Sequence, residues 1–169
     1  EIDIVILSHF HFDHAGGLLP SYEEIQNGND GLLFENATFV VSEEAFERAK
    51  NPHPRDRASF VPGMVEKLEK TGRLHIVKSG AAKADFCRAI SFEYSHGHTP
   101  GQLHTVIQGD KQKAIFCGDM IPGTPWVHTP ITMGYDRFPE KLIDEKTAVC
   151  KKALDEKWIL LFTHDPDIS

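Results

Sequence analysis

Residues 8–14 read SHFHFDH and place four metal-binding side chains within six consecutive positions: His9, His11, Asp13 and His14. In an extended backbone alternate side chains point the same way, so His9, His11 and Asp13 can share a side, and His14 joins them where the chain turns toward a helix. Imidazole and carboxylate ligands without a thiolate suit zinc, and also iron or manganese. Because one short loop cannot easily surround an ion with four ligands, the stretch favours two adjacent ions that take further ligands from elsewhere.

Three more candidate ligands each follow an apolar segment that is predicted to be a strand. His98 lies in the sequence GHTPG, Asp119 ends FCGD, and His164 lies in FTHD. If these strands end at one edge of a sheet, the three side chains meet the histidine-rich loop there. Taken singly, each has a simpler interpretation: His98 competes with His96 and His104, Asp119 is a turn residue, and His164 caps the last strand. Since His104 alternates with core residues in its strand, it is predicted to face solvent.

The rest of the chain predicts strands and helices in mixed order. Strands are predicted at 2–7, 37–41, 74–77, 90–94, 103–107, 114–117 and 158–162. Helices are predicted after Ser42, over 62–72 and over 139–157. Strand–helix units combined with one hairpin favour a single α/β layered domain over residues 1–169, with a mixed sheet.

Composition and charge exclude several classes of protein. Lys and Arg number 18 against 25 Asp and Glu, a net charge of −7 over 169 residues. A protein that binds nucleic-acid phosphates needs basic surface, so no nucleic-acid partner is predicted and a nuclease is disfavoured. No apolar run is long enough to span a bilayer, so no membrane partner is predicted either. Three scattered cysteines and the absence of a signal segment favour the cytoplasm, and nothing in the sequence sets the oligomeric state.

The order of these motifs resembles the metallo-β-lactamase superfamily, whose signature H-x-H-x-D-H is followed by a later His, a bridging Asp and a final His. The resemblance runs from Asp3 to Asp165. It implies an α/β fold, the αββα sandwich in which two mixed sheets lie between helices. Members of this family normally carry several strands before the motif, whereas this chain starts at Glu1 within an apolar run. We therefore expect N-terminal strands to be missing from it.

The resemblance also implies two divalent metal ions, with zinc favoured over iron or manganese. It assigns one metal to His9, His11 and His98, a second to Asp13, His14 and His164, and both to Asp119. A water held between two such ions becomes hydroxide near neutral pH and attacks a carbonyl carbon or a phosphorus. Asp13 and Asp119 are the expected catalytic carboxylates. Ser8, Thr99 and Asp165 are the expected partners that orient the imidazoles.

Two segments resemble one branch of the family. The GHTPG loop and residues 135–139, YDRFP, are similar to members that open N-acyl-homoserine lactones or hydrolyse organophosphates, which implies a small ester, lactone or phosphoester as substrate. Those lactonases place a tyrosine three residues after the bridging Asp, where this chain has Pro122, and Tyr135 or His128 is the candidate replacement. The oxygen-reducing di-iron members carry a glutamate at the position of His11, so that branch is disfavoured. The alternatives are a thioesterase like glyoxalase II, a phosphodiesterase, and a metal-binding scaffold without catalysis.

Five bulky side chains near these motifs have two interpretations. They either belong to the hydrophobic core or line an apolar substrate pocket. These side chains are Phe10, Phe12, Trp126, Met133 and Tyr135.

Overall fold

The computed structural model describes residues 2–167 and contains two compact units, one ending at Lys78 and the other beginning at Ser79. Each unit has its own β-sheet and its own helices. The predicted mixed α/β class with two sheets is confirmed. The expectation of a single domain stays a prediction.

The first unit contains a parallel sheet in the order β1-β2-β3. The strands are β1 (Ile4–Ile6), β2 (Thr38–Ser42) and β3 (Leu74–Val77). Val40, in the central strand, pairs with Ile6 on one side and His75 on the other. All three strands were predicted, because short runs rich in β-branched residues suit a parallel sheet.

The helices of this unit begin in different ways, and serine side chains cap the second and the third of them. They are α1 (Phe12–Ala15), α2 (Tyr22–Gln26), α3 (Glu43–Lys50) and α4 (Met64–Lys70). The hydroxyl of Ser42 accepts a hydrogen bond of 3.1 Å from the amide of Ala45 and so caps α3, as the sequence predicts. Helix α2 was not predicted, although Ser21 and Glu24 form a complete capping box there.

The second unit contains a mixed sheet in the order β4-β5-β6-β7. The strands are β4 (Ile90–Ser95), β5 (Gln102–Gln108), β6 (Lys113–Phe116) and β7 (Ile159–Leu161). The first three run antiparallel, and β7 pairs with β6 in parallel. The predicted hairpin is confirmed, and the amide of Gly109 donates to the carbonyl of Gln112 within its turn. The parallel pairing of β6 with β7 requires a long crossover connection between them, and this connection contains a long helix.

Helix α5 (Pro139–Glu156) forms that crossover. Pro139 suits its first position, and Lys157 ends it in the left-handed conformation with φ of 57°. The predicted apolar stripe of Leu142, Val149 and Ala153 is buried, which confirms the prediction. Lys146 is buried in the same stripe, which the sequence interpretation did not anticipate.

Each unit has a hydrophobic cluster of its own. Phe39, Val41, Phe46 and Leu68 belong to the cluster of the first unit, where strands and helices cover one another. That cluster also contains Phe10, which packs against Phe46 and is therefore a core residue. Between residues 2 and 167, no helix combines the length and the apolar character needed to cross a membrane.

Candidate metal centre

In the first unit, the histidine-rich loop follows β1 directly. His9 is 1% exposed, and its ring lies 4.5 Å from that of His11 and 4.1 Å from that of His14, measured between centroids. The alternate-side argument applies to His9 and His11, but Asp13 lies inside α1, so a helical turn and not an extended backbone positions its carboxylate. Its Oδ2 lies 3.6 Å from Nε2 of His14. The loop therefore offers two pairs of donors, His9 with His11 and Asp13 with His14, and the atoms within each pair lie less than 4.8 Å apart.

Two neighbours orient the buried histidines of this loop. The hydroxyl of Ser8 lies 3.1 Å from Nδ1 of His9, in the place expected for an orienting partner. A histidine whose Nδ1 is engaged in this way presents Nε2 to a metal. His11 forms an isolated antiparallel bridge with Phe60, and the two rings meet edge to face with their centroids 5.2 Å apart. Phe60 thus contacts both the backbone and the ring of His11.

In the second unit, Asp119 lies between two histidines. Its Oδ2 is 3.4 Å from Nε2 of His98, and its Oδ1 is 3.3 Å from Nε2 of His164. Zinc binds such atoms at about 2.0 to 2.2 Å, so two donors sharing a tetrahedral ion lie about 3.4 Å apart. Each oxygen of this one carboxylate has the spacing needed to share an ion with a different histidine. A carboxylate that bridges two ions would have this geometry.

A buried carboxylate that the sequence interpretation did not assign sets the orientation of His98. Nδ1 of His98 donates to Oδ1 of Asp136 over 2.8 Å, and both side chains are completely buried. The other oxygen of Asp136 accepts a 2.6 Å hydrogen bond from the amide of Met133. With its proton held at Nδ1, the ring turns Nε2 toward Asp119, as ligating histidines usually do. The signal in the sequence was an aspartate in the YDRFP segment, next to Tyr135.

The other expected partners have different surroundings. The carboxylate of Asp165 accepts hydrogen bonds from the amide and the hydroxyl of Thr124, at 2.7 and 2.6 Å. It therefore fixes the turn at Thr124, beside the chain segment that carries His164. Thr99 is buried next to His98.

Tyr135 lies beside His98, whereas the other candidate replacement, His128, is exposed. The ring of Tyr135 meets the imidazole of His98 edge to face at 5.9 Å, and its hydroxyl donates to the sulfur of Met133. Tyr135 is 63% exposed and Phe12 is 61% exposed, so both present aromatic surface to solvent. Trp126 is half-buried.

The prediction that His104 faces solvent is wrong. His104 is completely buried, with Nε2 2.8 Å from the hydroxyl of Ser95 and Nδ1 3.3 Å from the carbonyl oxygen of Phe116. Burial lowers the pKa of His104 to about 4, so the ring is neutral at pH 7. Alternation fails here because β5 is a central strand, and its consecutive residues 102–104 are all buried.

The donor sets of both units fit divalent metal ions. Imidazole nitrogens and carboxylate oxygens are borderline and hard ligands, a combination that suits zinc, iron or manganese. His9, His11, His98 and Asp119 are buried, whereas His14 is half-buried and Asp13 and His164 are more exposed. The spacings around Asp119 fit those of atoms that share an ion.

Comparison with known proteins gives both sequence and structural relatives. A sequence profile of the metallo-β-lactamase superfamily matches residues 1–164. Ribonuclease TTHA0252 from Thermus thermophilus is 30% identical over 120 residues, which make up 71% of this chain and 26% of that protein. The crystal structure of a probable metal-dependent hydrolase from Staphylococcus aureus superposes with a TM-score of 0.81 and 26% identity, over 96% of this chain and 55% of the other.

Two further structures share the fold at lower identity. AidC, a dizinc quorum-quenching lactonase in complex with the product N-hexanoyl-L-homoserine, gives a TM-score of 0.77 and 22% identity, over 97% of this chain and 57% of its own. The hydrolase AbOPH gives a TM-score of 0.76 and 21% identity, over 98% of this chain and 57% of its own. This chain thus spans 26% of the ribonuclease and between 55% and 57% of these three solved chains. The profile match over nearly the whole chain, together with the shared mixed α/β fold of two sheets, shows that the chain belongs to the metallo-β-lactamase superfamily.

Proposed function

We propose that this chain is a metal-dependent hydrolase with a dinuclear centre. The centre would draw ligands from both units: His9, His11 and His98 for one ion, Asp13, His14 and His164 for the other, and Asp119 for both. The observation that carries the proposal is the position of Asp119, whose two oxygens face two different histidines at 3.4 and 3.3 Å. The two donor pairs in the loop of the first unit would supply the remaining ligands.

Each side chain of the proposed centre has a defined task. When bound, two divalent ions supply Lewis acidity that polarises a substrate oxygen and makes water nucleophilic near neutral pH. Asp136 keeps the proton of His98 on Nδ1, and Ser8 contacts the same nitrogen of His9, so both rings present Nε2. Asp13 is partly exposed and orients the attacking water as a hydrogen-bond acceptor. Tyr135 lies beside His98, and its hydroxyl, which now donates to the sulfur of Met133, would turn to the substrate as its acceptor.

A small ester or lactone is the substrate class that we favour. Exposed aromatic surface at Phe12 and Tyr135 suits a neutral organic molecule, and the net charge of −7 repels polyanions. The structural likeness to the lactonase AidC agrees with this choice. A small phosphoester or a thioester remains within reach of the same chemistry. We also propose a cytoplasmic location, which the three scattered cysteines favour.

Hydrolysis of RNA is the second candidate function. The observation in its favour is the 30% identity with ribonuclease TTHA0252. The acidic balance of the chain argues against it, because binding to nucleic acid depends on basic side chains that neutralise phosphates. The two candidates therefore predict opposite substrate preferences for the same centre.

Metal analysis and a substrate panel test the proposal together. We expect two divalent ions per chain at saturation and loss of activity on chelation, with recovery when zinc is restored. The panel contains an N-acyl-homoserine lactone, a p-nitrophenyl ester, a phosphotriester, a thioester and single-stranded RNA, and we expect the lactone or the ester to be cleaved fastest.

Asp119→Asn supplies the matched variant for this test. Loss of a bridging charge is expected to reduce kcat/KM by about 100-fold or more, as removal of a transition-state stabilising group does. Asp155→Asn makes the same change at an exposed position of α5 and is expected to be silent. Fewer than two ions per chain, activity that survives chelation, or a fully active Asp119→Asn would each overturn the dinuclear mechanism. Preference for RNA over every small substrate would favour the second candidate.

A further inference from the structure

Two neighbouring charged residues of α5, Glu145 and Lys146, face into the protein. Lys146 is 0% exposed and the side chain of Glu145 is 17% exposed. Lys146 occupies the apolar stripe between Leu142 and Val149. A buried ammonium group costs free energy that a methionine or leucine in the same stripe would not, so its contacts must account for its presence.

Glu145 holds the backbone just before His98. Its carboxylate accepts hydrogen bonds from the amide of His96, at 2.9 and 3.0 Å, and from the amide of Gly97, at 3.0 Å. Gly97 also lies directly against α5, because a Cβ atom at this position would come within 2.4 Å of the Cα and Cβ of Leu142. The loop that carries His98 is thus fixed onto the helix at adjacent residues.

Lys146 holds a second loop, the one that carries Asp136. Its Nζ donates to the carbonyl of Ile131 over 2.5 Å and lies 3.5 Å from the carbonyl of His128. Burial lowers the pKa of Lys146, whereas the neighbouring Cys150 and Asp136 oppose that change. Five residues beyond Ile131, Asp136 orients the imidazole of His98.

The two loops are also joined to each other beside His98. The amide of Phe138 donates to the carbonyl of Gly97 over 2.8 Å, and the amide of Arg137 donates to the carbonyl of His98 over 3.2 Å. Two loops therefore set the backbone position and the ring orientation of His98. Glu145 and Lys146, on one turn of α5, each hold one of these loops. Glu145 also makes a long contact with Lys141, at 3.9 Å.

We infer that Glu145 and Lys146 are positioning residues, which act through the two loops to fix His98 in the geometry of a metal ligand. Glu145 sets where the ring is, and Lys146 sets which nitrogen it presents by holding the loop of Asp136. The inference rests on the proposed function, because it takes His98 as a ligand. It predicts that changes on α5 weaken one metal site and leave the other intact.

The test uses Lys146→Met, Glu145→Ala and Glu145→Gln. Methionine keeps the length and apolar packing of the lysine without its donors, and glutamine keeps one acceptor oxygen of the glutamate. Zinc titration against a competing chelator should resolve two dissociation constants. We expect one to rise by about 10- to 100-fold in Lys146→Met and Glu145→Ala, the usual cost of removing an orienting partner, with a smaller rise in Glu145→Gln. Lys151→Met and Asp144→Ala, at exposed positions of the same helix, should bind as the wild type does.

Hydrogen exchange of the metal-free protein provides a readout that does not depend on zinc. The amides of His96 and Gly97 should exchange faster in Glu145→Ala, with an intermediate rate in Glu145→Gln. Unchanged exchange together with two wild-type zinc affinities would overturn the inference, as would equal weakening of both sites. If Lys146→Met does not fold, the comparison of Glu145→Ala with Glu145→Gln tests the inference. If the wild-type chain binds no zinc, the proposed function is contradicted. The exchange rates of the His96 and Gly97 amides then test by themselves whether Glu145 holds the loop of His98.

Discussion

Single hydrogen bonds decide which atom each histidine presents. Asp136 receives the Nδ1 proton of His98 with one oxygen and the amide of Met133 with the other, so both of its oxygens must be acceptors. Asn at position 136 can offer only one acceptor, and its NH₂ group then opposes a donor. The charge that raises the basicity of the imidazole is lost as well.

We therefore expect Asp136→Asn to bind one of the two metal ions about 10- to 100-fold more weakly, with a matching loss of kcat/KM. Zinc titration measures the affinity, and ¹⁵N spectra of the histidine rings report whether the proton stays on Nδ1. Asp110→Asn, at an exposed hairpin turn, is the matched control. Wild-type affinity with an unchanged ring spectrum would contradict the role of Asp136.

His104 predicts a pH effect on stability. Its pKa is about 4 in the folded protein, against an ordinary value of 6.5, because burial disfavours the charged ring. The unfolded chain therefore takes up the proton first as the pH falls. Above pH 6.5 the ring is neutral in both states and does not reduce the stability. As the pH falls from 6.5 toward 4, the free energy of unfolding decreases by a total of about 3 kcal/mol.

His104→Gln removes this titration while keeping a polar group near Ser95. We expect the free energy of unfolding of the variant to fall less steeply than that of the wild type between pH 6.5 and pH 4. Urea denaturation of the metal-free proteins at pH 5 and pH 7.5 measures the difference. His53→Gln, at an exposed position, should keep the wild-type slope. Parallel slopes for wild type and His104→Gln would show that folding does not change the pKa of His104, and would contradict the effect of burial.

Among the elements, the close packing of a loop on helix α5 predicts a loss of stability. Gly97 has no room for a Cβ atom, since the nearest atoms belong to the backbone of Leu142 and cannot turn aside. Gly97→Ala should therefore reduce the free energy of unfolding by about 1 to 3 kcal/mol, the usual cost of overpacking. Gly134→Ala is the control, because nothing lies within 4 Å of its added methyl group. Thermal denaturation compares them, and equal melting temperatures would refute the packing argument.

The elements also show where sequence reasoning succeeds and where it stops. Strands with β-branched runs and the 18-residue helix α5 follow from local patterns that packing reinforces. Helix α2 was not predicted because a helix of five residues is too short to show a periodic pattern, although the sequence contains its capping box at Ser21. His104 was misplaced because a central strand is covered on both faces, and alternation then carries no information.

The site shows the same division between ligands and their supports. His9, His11 and their partners in the motif could be named because metal chemistry restricts ligands to a few residue types at a recognisable spacing. Asp136 and Lys146 could not, since any loop or helix contains such residues and only tertiary packing reveals which ones are buried. Lys146 did leave one trace, a charge at the spacing of an apolar stripe.

For the molecule as a whole, metal binding is expected to link the stabilities of the two units. The proposed centre takes His9, His11, Asp13 and His14 from the first unit and its other ligands from the second. An ion bound only by the folded state adds about 4 kcal/mol when its free concentration is about 1,000 times its dissociation constant. In the proposed centre both units would have to be folded to supply one coordination sphere, so we expect them to unfold together when zinc is bound.

Scanning calorimetry with and without a chelator measures this linkage. We expect one cooperative transition in the presence of zinc, and in its absence a lower melting temperature with a broadened or divided transition. His53→Gln should behave as the wild type under both conditions, whereas Asp119→Asn should resemble the chelated protein even when zinc is present. If chelation leaves both the melting temperature and the shape of the transition unchanged, the ligands of the two units do not share an ion, because shared ions stabilise only a state in which both units are folded.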